Sequence, residues 1–258
     1  MATLDLNCDL GEGAGGDEAI MPFITSANIA CGAHAGDLET MLRISKLAKS
    51  LGVAVGAHPG FPDREGFGRR ELNLGPDEVY ALVKSQVKDL QRIAEVRHVK
   101  THGALYTLAA KDRALAHAVA CAVRECDPHL ILFALSGSVQ VEEGETAGLQ
   151  VAQEVFADRS YQADGSLTPR TRPDALILNE NDAVAQVLSL ARSGTVRSTD
   201  GRIVKVRADT VCLHGDGANA VVFARRIRQA LLADGTILAP ALTRPVPGPA
   251  RVGGDRAT

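Results

Sequence analysis

Titratable and amide side chains in this sequence gather where short apolar runs end. Asp5, Asn7 and Asp9 share one face of the first run and Leu4 and Leu6 the other; Asn28 and His34, His58, Lys100 and His102, Glu154 and Asp158, and His214 and Asp216 follow later runs. Imidazole titrates near neutral pH and responds to neighbouring carboxylates, so His58, His102 and His214 are candidates for general acid/base work. His34, His58, His102 and His214, beside Asp9, Asp37 and Asp216, are also the donor types that hold a divalent metal and activate water. No HEXXH-like or CxxC spacing fixes a ligand set. Lys100 points with His102, and a buried ammonium there needs a carboxylate such as Asp5 or Glu154; a purely structural ion pair is the plain alternative. Arg70 in GFGRR and Arg159 in DR offer guanidinium forks for a substrate carboxylate. Cys31, three residues before His34, and Cys212, two before His214, read as a nucleophile or as packing, and buried cysteine is usually packing. His98, His117 and His129 read as surface or helix-packing residues.

Glycines bracket the same positions. DLGEG (9–13), CGAHAGD (31–37), GAHPGFPDREGFGRR (56–70), HGALY (102–106) and HGDG (214–217) each set Gly beside a His or a carboxylate just after an apolar run, where a ligand can approach the backbone closely. The elements that must carry these loops repeat one pattern: a β-prone run, a segment with helical period, then Gly. That alternation predicts a parallel sheet with crossover helices, with strands at 4–7, 27–30, 53–57, 98–102, 130–134, 151–154 and 210–214. Catalytic groups of β/α barrels collect at the carboxyl ends of the strands, which is where the polar residues fall here. Helices are expected at 38–50, with Asp37 as N-cap and a stripe of Leu38, Met41, Leu42 and Leu47, and from Pro76 with Val79, Leu82, Val83, Leu90 and Ile93 inward. Further helices are expected at 112–124, 182–191 and 220–233. Asp200-Gly201 between two β-prone arms at 195–206 predicts an exposed hairpin.

The composition narrows the function. With 258 residues, 45% hydrophobic, the chain suits one domain over residues 1–244, and the Pro/Gly-rich segment 245–258 reads as a mobile tail. A formal charge of -3 without a basic stripe argues against nucleic acid or an anionic membrane as partner. Aromatic residues at 3% and no Trp leave few stacking platforms for sugars or bases. Five cysteines, an odd number without paired spacing, and a start without a secretory h-region predict free thiols and a cytoplasmic protein. No GxxxxGK[ST] and no strand-anchored GxGxxG occurs, so any ATP dependence calls for a partner subunit.

Read together, DLNCDLGEG, TSANIACGAHAGD, GVAVGAHPGFPDREGFGRR, VKTHGALY, EVFADRSYQADGSLTPR and CLHGD resemble the LamB/YcsF family from about Leu4 to Ala233. The resemblance implies a distorted seven-stranded β/α (TIM-like) barrel, glycoside hydrolase/deacetylase-like. It also implies ATP-dependent cleavage of 5-oxoproline to L-glutamate as the A subunit of a 5-oxoprolinase, with ATP as cosubstrate of the complex and B and C subunits as partners. A lactam is a poor electrophile, so the B and C subunits are expected to phosphorylate its oxygen and this chain to open the activated ring. In that scheme Asp9, Lys100, His102, Glu154 and His214 are catalytic: His102 or His214 as base, Asp9 or Glu154 orienting water, Lys100 stabilising negative charge on oxygen. Asn7, Asn28, His34, His58, Arg70, Asp158, Arg159 and Asp216 contact substrate, with Arg70 or Arg159 on its carboxylate. A divalent metal, if bound, takes Asp9, His34 and His58. The rival readings are a stand-alone metal-dependent deacetylase or amidohydrolase using those three residues, and a non-catalytic subunit that presents substrate.

Overall fold

Leu4, Leu6 and Leu10 alternate with Asp5, Asn7 and Asp9 along β1 (Thr3–Leu10), yet both faces are buried. A strand polar on one face and covered on both fits the inner wall of a closed barrel, its leucines under helices and its polar face on the axis. The computed structural model describes residues 3–214 and 220–241; Asp216, expected to contact substrate, and the expected tail 245–258 lie outside the described residues.

In chain order, β1 is followed by α1 (Asp17–Ile20), β2 (Ser26–Ala30), α2 (Leu38–Ser50), β3 (Ala54–His58), α3 (Pro76–Gln91), β4 (His98–Lys100), α4 (Gly103–Ala109) and α5 (Arg113–Cys126). Then come β5 (Ile131–Leu135), α6 (Val139–Thr146), β6 (Gln150–Phe156), α7 (Glu180–Ser193), β7 (Thr195–Arg197), β8 (Ile203–Lys205), β9 (Thr210–Leu213), α8 (Ala220–Ala233) and β10 (Ile237–Leu238). The order β1-β2-β3-β4-β5-β6-β9 closes on itself through β9–β1 pairing, Asp5 opposite Thr210 and Asn7 opposite Cys212. All seven strands of this ring run parallel. β10 adds at the amino end of β1, Ile237 opposite Thr3. The hairpin expected at Asp200-Gly201 is β7–β8, antiparallel, with Gly201 at φ +89°. No described helix is long and apolar enough to cross a membrane.

Three sequence expectations change. In α2 the buried stripe is Met41, Ile44, Ser45 and Ala48, a true i, i+3, i+4, i+7 set, which leaves Leu38 59% and Leu42 47% exposed. The fourth strand stops at Lys100, whose pairing with Phe133 is its last; His102, still extended, is the residue preceding α4. Gly103 opens that helix at φ +56°, and a side chain there would strike the Gly68 carbonyl, which instead accepts the Ala104 N–H at 2.9 Å. Finally, His98 is inside the barrel at 1% exposure, in space that any side chain at Gly56 would fill. Its ring stacks on Phe133 at 4.1 Å, and burial lowers its pKa to about 3. It is therefore neutral, and its Nε2 donates to Asn28 Oδ1 at 2.7 Å.

Candidate active site

The barrel axis is layered. Lowest is Asp5, which accepts from Thr25 Oγ1 (2.6 Å), Ser26 Oγ (2.7 Å) and Thr210 Oγ1 (2.5 Å). Burial raises its pKa to about 6 against an ordinary 3.8, and the three hydroxyls only partly offset that. Because the folded carboxyl holds its proton more tightly than the unfolded one, the burial cost is full above pH 6 and is relieved as pH falls toward 3.8. This group should make the protein about 1 kcal/mol more stable at pH 5 than at pH 7. Urea unfolding of the wild type and of Asp5→Asn at both pH values checks it: the variant should lose that increment.

Above Asp5 sits a buried ionic network. Lys100 Nζ lies 2.9 Å from Asp9 Oδ1, 3.0 Å from Glu154 Oε1, 3.0 Å from Cys212 Sγ and 3.4 Å from Asn7 Oδ1. Burial disfavours the ammonium, but Asp9 and Glu154 more than compensate and keep it charged. Asn28 Nδ2 donates to Asn7 Oδ1 (2.7 Å) and Asp9 Oδ1 (2.8 Å), and Asn7 Nδ2 donates to Glu154 Oε1 (2.9 Å). The Cys212 thiol is pushed well up by burial and stays protonated, as does Cys31, raised to about 12 by the same cause; neither is an activated nucleophile, and all five cysteines are free.

At the mouth, His34, His58 and His102 converge on Glu12. The Glu12 Oε1 atom is 3.2 Å from His34 Nε2, 3.2 Å from His102 Nδ1 and 3.7 Å from His58 Nε2, and His58 Nε2 is 2.9 Å from His102 Nδ1. The outer nitrogens are already committed: His58 Nδ1 donates to the Lys100 carbonyl (2.7 Å) and His102 Nε2 to the Phe67 carbonyl (2.8 Å). In the neutral rings the inner lone pairs therefore oppose each other beside a carboxylate, an arrangement that requires a proton or a cation between them. Phe67 holds its carbonyl there at φ +54°, the one positive φ of a non-glycine among the described residues. Burial lowers the His34 pKa to about 4 and lowers His102, whereas in His58 the Asp9 carboxylate, 3.3 Å away, outweighs burial and raises it. Zinc bonds of about 2.0–2.1 Å at tetrahedral angles place neighbouring donors about 3.3 Å apart, which fits these separations. Glu12, His34, His58 and His102 thus suit a divalent ion, with ligand atoms all within 4.8 Å of one another. Asp9 stands behind His58 and on Lys100.

Across the same cavity, about 730 Å³, His214 Nδ1 donates to Asp158 Oδ1 at 2.9 Å and His214 Nε2 accepts from Arg170 at 2.7 Å. That is a base held by an orienting carboxylate. Arg159 is 5% exposed; among the described residues its guanidinium hydrogen-bonds the Thr168 (2.6 Å) and Ala175 (3.3 Å) carbonyls and has no carboxylate in ion-pair reach. Burial accordingly lowers its pKa to about 10. Arg70 instead pairs with Asp63, half exposed and away from the cavity wall, which Arg69 lines. The sequence reading overlooked Glu12, whose signal was its place between two glycines of DLGEG, and Tyr106 and Arg170, although they close the motifs VKTHGALY and EVFADRSYQADGSLTPR.

A closed seven-stranded parallel barrel with its ionisable groups stacked toward the carboxyl end defines a deacetylase-like β/α barrel. The catalytic domain of the peptidoglycan N-acetylglucosamine deacetylase from Eubacterium rectale shares that fold, at TM-score 0.52 and 11% identity over 95% of this chain and 91% of that one. A model of the LamB/YcsF family matches residues 4–245, and the chain belongs to that family. It is 54% identical over 244 residues to the 5-oxoprolinase A-subunit of Geobacillus kaustophilus, covering 91% of this chain and 95% of the relative. The crystal structure of the lactam utilization protein from Thermus thermophilus superposes with a TM-score of 0.87 at 45% identity, covering 94% of this chain and all of that one.

Proposed function

We propose that this chain is the ring-opening subunit of an ATP-driven 5-oxoprolinase, converting 5-oxoproline to L-glutamate in a cytoplasmic complex with B- and C-type subunits. The observation that carries this reading is Arg159: a buried guanidinium with no carboxylate in ion-pair reach among the described residues, in a cavity shared with Lys100 and the His214–Asp158 pair, suits a small anionic substrate. The names of relatives at about half identity point to the same substrate. The described residues offer no glycine-rich phosphate loop, so the phosphorylation that activates the lactam falls to the partners.

In this reading Arg159 holds the substrate carboxylate. His214 Nε2, oriented through Nδ1 by Asp158, takes the proton of the attacking water once Arg170 leaves it for the substrate's own negative charge. The Lys100 proton directed at Cys212 Sγ, a weak acceptor, is the one free to stabilise charge growing on the carbonyl oxygen, while Asp9 and Glu154 fix the ammonium. Glu12, His34, His58 and His102 would hold a divalent ion, which when bound polarises oxygen and lowers the pKa of water.

The test is glutamate release from 5-oxoproline by the purified chain, with and without ATP, alone and with B- and C-type subunits. Activity only in the ATP-containing mixture is the expected result. Release by the chain alone would favour the stand-alone metal-dependent amidohydrolase, the second reading that the histidine cluster supports. Full activity of the mixture with His214→Ala would reduce the chain to a presenting role, and silence in every mixture would refute the substrate.

A further inference from the structure

Away from the barrel mouth, a second nucleophile meets a base. Along α5, Arg113, His117, Cys121 and Arg124 recur at helical spacing on the side turned from the core, while Leu115, Ala118, Val119, Ala122 and Val123 are buried. Cys121 is half-buried, and the other four cysteines are buried. Side chains on a helix lean toward its N-terminus, so Cys121 reaches back one turn, and its Sγ lies 3.4 Å from His117 Nε2. From α6, Glu143 Oε2 stands 3.0 Å from His117 Nδ1. Glu143 is itself fixed: it is 6% exposed and its other oxygen pairs with Arg113. The hydrogen bonds from His117 and Arg113 hold its carboxyl below the ordinary value, so it is ionised at neutral pH and His117 Nδ1 is the donor to it. That leaves Nε2 with its lone pair toward sulfur, and the thiol S–H donates to it. Nucleophile, base and orienting carboxylate thus stand in the order that activates a thiol.

None of these three side chains lines the barrel cavity, so a substrate held there does not reach the sulfur. The His117 side chain is 58% exposed, which opens the pair to solvent. A base-paired thiol at the surface suits a small reagent that arrives by diffusion. We propose that Cys121 is a modification site for hydroperoxides, activated by His117 and positioned through Glu143. His117 Nε2 takes the thiol proton as sulfur attacks the terminal peroxide oxygen. The S–O bond forms and the O–O bond breaks, so sulfur is oxidised to the sulfenic acid and the peroxide is reduced. The departing oxygen takes the proton back from His117 and leaves as water, or as an alcohol from an organic hydroperoxide. This inference is independent of the lactam reading.

Hydrogen peroxide added to the purified full-length chain, with dimedone trapping and peptide mass spectrometry, tests it. Dimedone should mark Cys121 and leave Cys8, Cys31, Cys126 and Cys212 unmarked, and Cys121→Ser should remove the mark. His117→Gln, at an exposed position, should keep its melting temperature within about 2 °C and slow trapping at pH 7 at least about fivefold. Glu143→Gln should slow it as well, because the ring loses its orienting partner. Above about pH 10 an ordinary thiol is ionised without help, so wild type and His117→Gln should react alike there. Equal rates at pH 7, or a mark spread over all five cysteines of the folded chain, overturns the proposal. So does equal slowing of His117→Gln at both pH values, which would make the histidine a matter of access to sulfur and not of proton removal.

Discussion

Replacing Lys100 with methionine is expected to cost about 3–5 kcal/mol of stability, because a buried pair broken on one side leaves uncompensated charge. Here the loss is doubled in kind: Asp9 Oδ1 and Glu154 Oε1, 2.9 and 3.0 Å from the ammonium, both lose their counterion at under 10% exposure. Methionine fills most of the volume, so the effect isolates charge from packing. For a domain of this size the melting temperature should fall by roughly 6–20 °C. Adding Glu154→Gln to Lys100→Met removes one of the stranded charges and should recover a substantial part of the stability, measured by urea unfolding. It should not recover activity. Glutamate release by the assembled complex should drop about 10²–10³-fold in both variants, the usual loss when a group stabilising an oxyanion is removed. If the double variant regained both, Lys100 would be no more than a structural partner of Glu154.

What could be read before the fold was known follows from what is local in the sequence. The alternation of leucine with Asp5, Asn7 and Asp9 is a period-two signal inside one strand, and nearly every strand end, β5 excepted, carries a polar residue, so the barrel was legible, as was Glu154 beside Lys100; that the other carboxylate on Lys100 is Asp9 and not Asp5 was not. His98 shares the period-two face of Lys100, so its inward direction was legible and overlooked; the room that Gly56 in the neighbouring strand leaves for its ring was not. Glu12 sits in a glycine-rich loop, where a carboxylate ordinarily reads as solvated; only the fold brings three histidines from the ends of β2, β3 and β4 onto it. The choice between guanidinium groups was equally non-local. Asp63 captures Arg70 and draws it off the cavity, while Arg159 is enclosed by the 160–176 segment that also supplies its carbonyl partners.

The purified chain is expected to retain about one divalent ion after dialysis against metal-supplemented buffer, and His58→Ala to lower that affinity at least about 10²-fold. The argument is the arrangement of lone pairs. His58 and His102 each spend their outer N–H on a backbone carbonyl, so their inner nitrogens meet at 2.9 Å beside Glu12 with only one cation or proton able to reconcile them. Glu12→Gln, which keeps the shape but removes the charge, should weaken binding as well. His214→Ala, on the other side of the cavity, should leave the metal content unchanged. Binding should also weaken as the pH is lowered, since the ion and the protons compete for the same imidazoles. Elemental analysis gives the stoichiometry, and thermal unfolding gives a second readout independent of catalysis: at one hundred times the dissociation constant a bound ion stabilises the fold by about 2.7 kcal/mol. The cluster would be a proton-holding network rather than a metal site if the wild type came through dialysis metal-free, or if His214→Ala lost the ion as readily as His58→Ala.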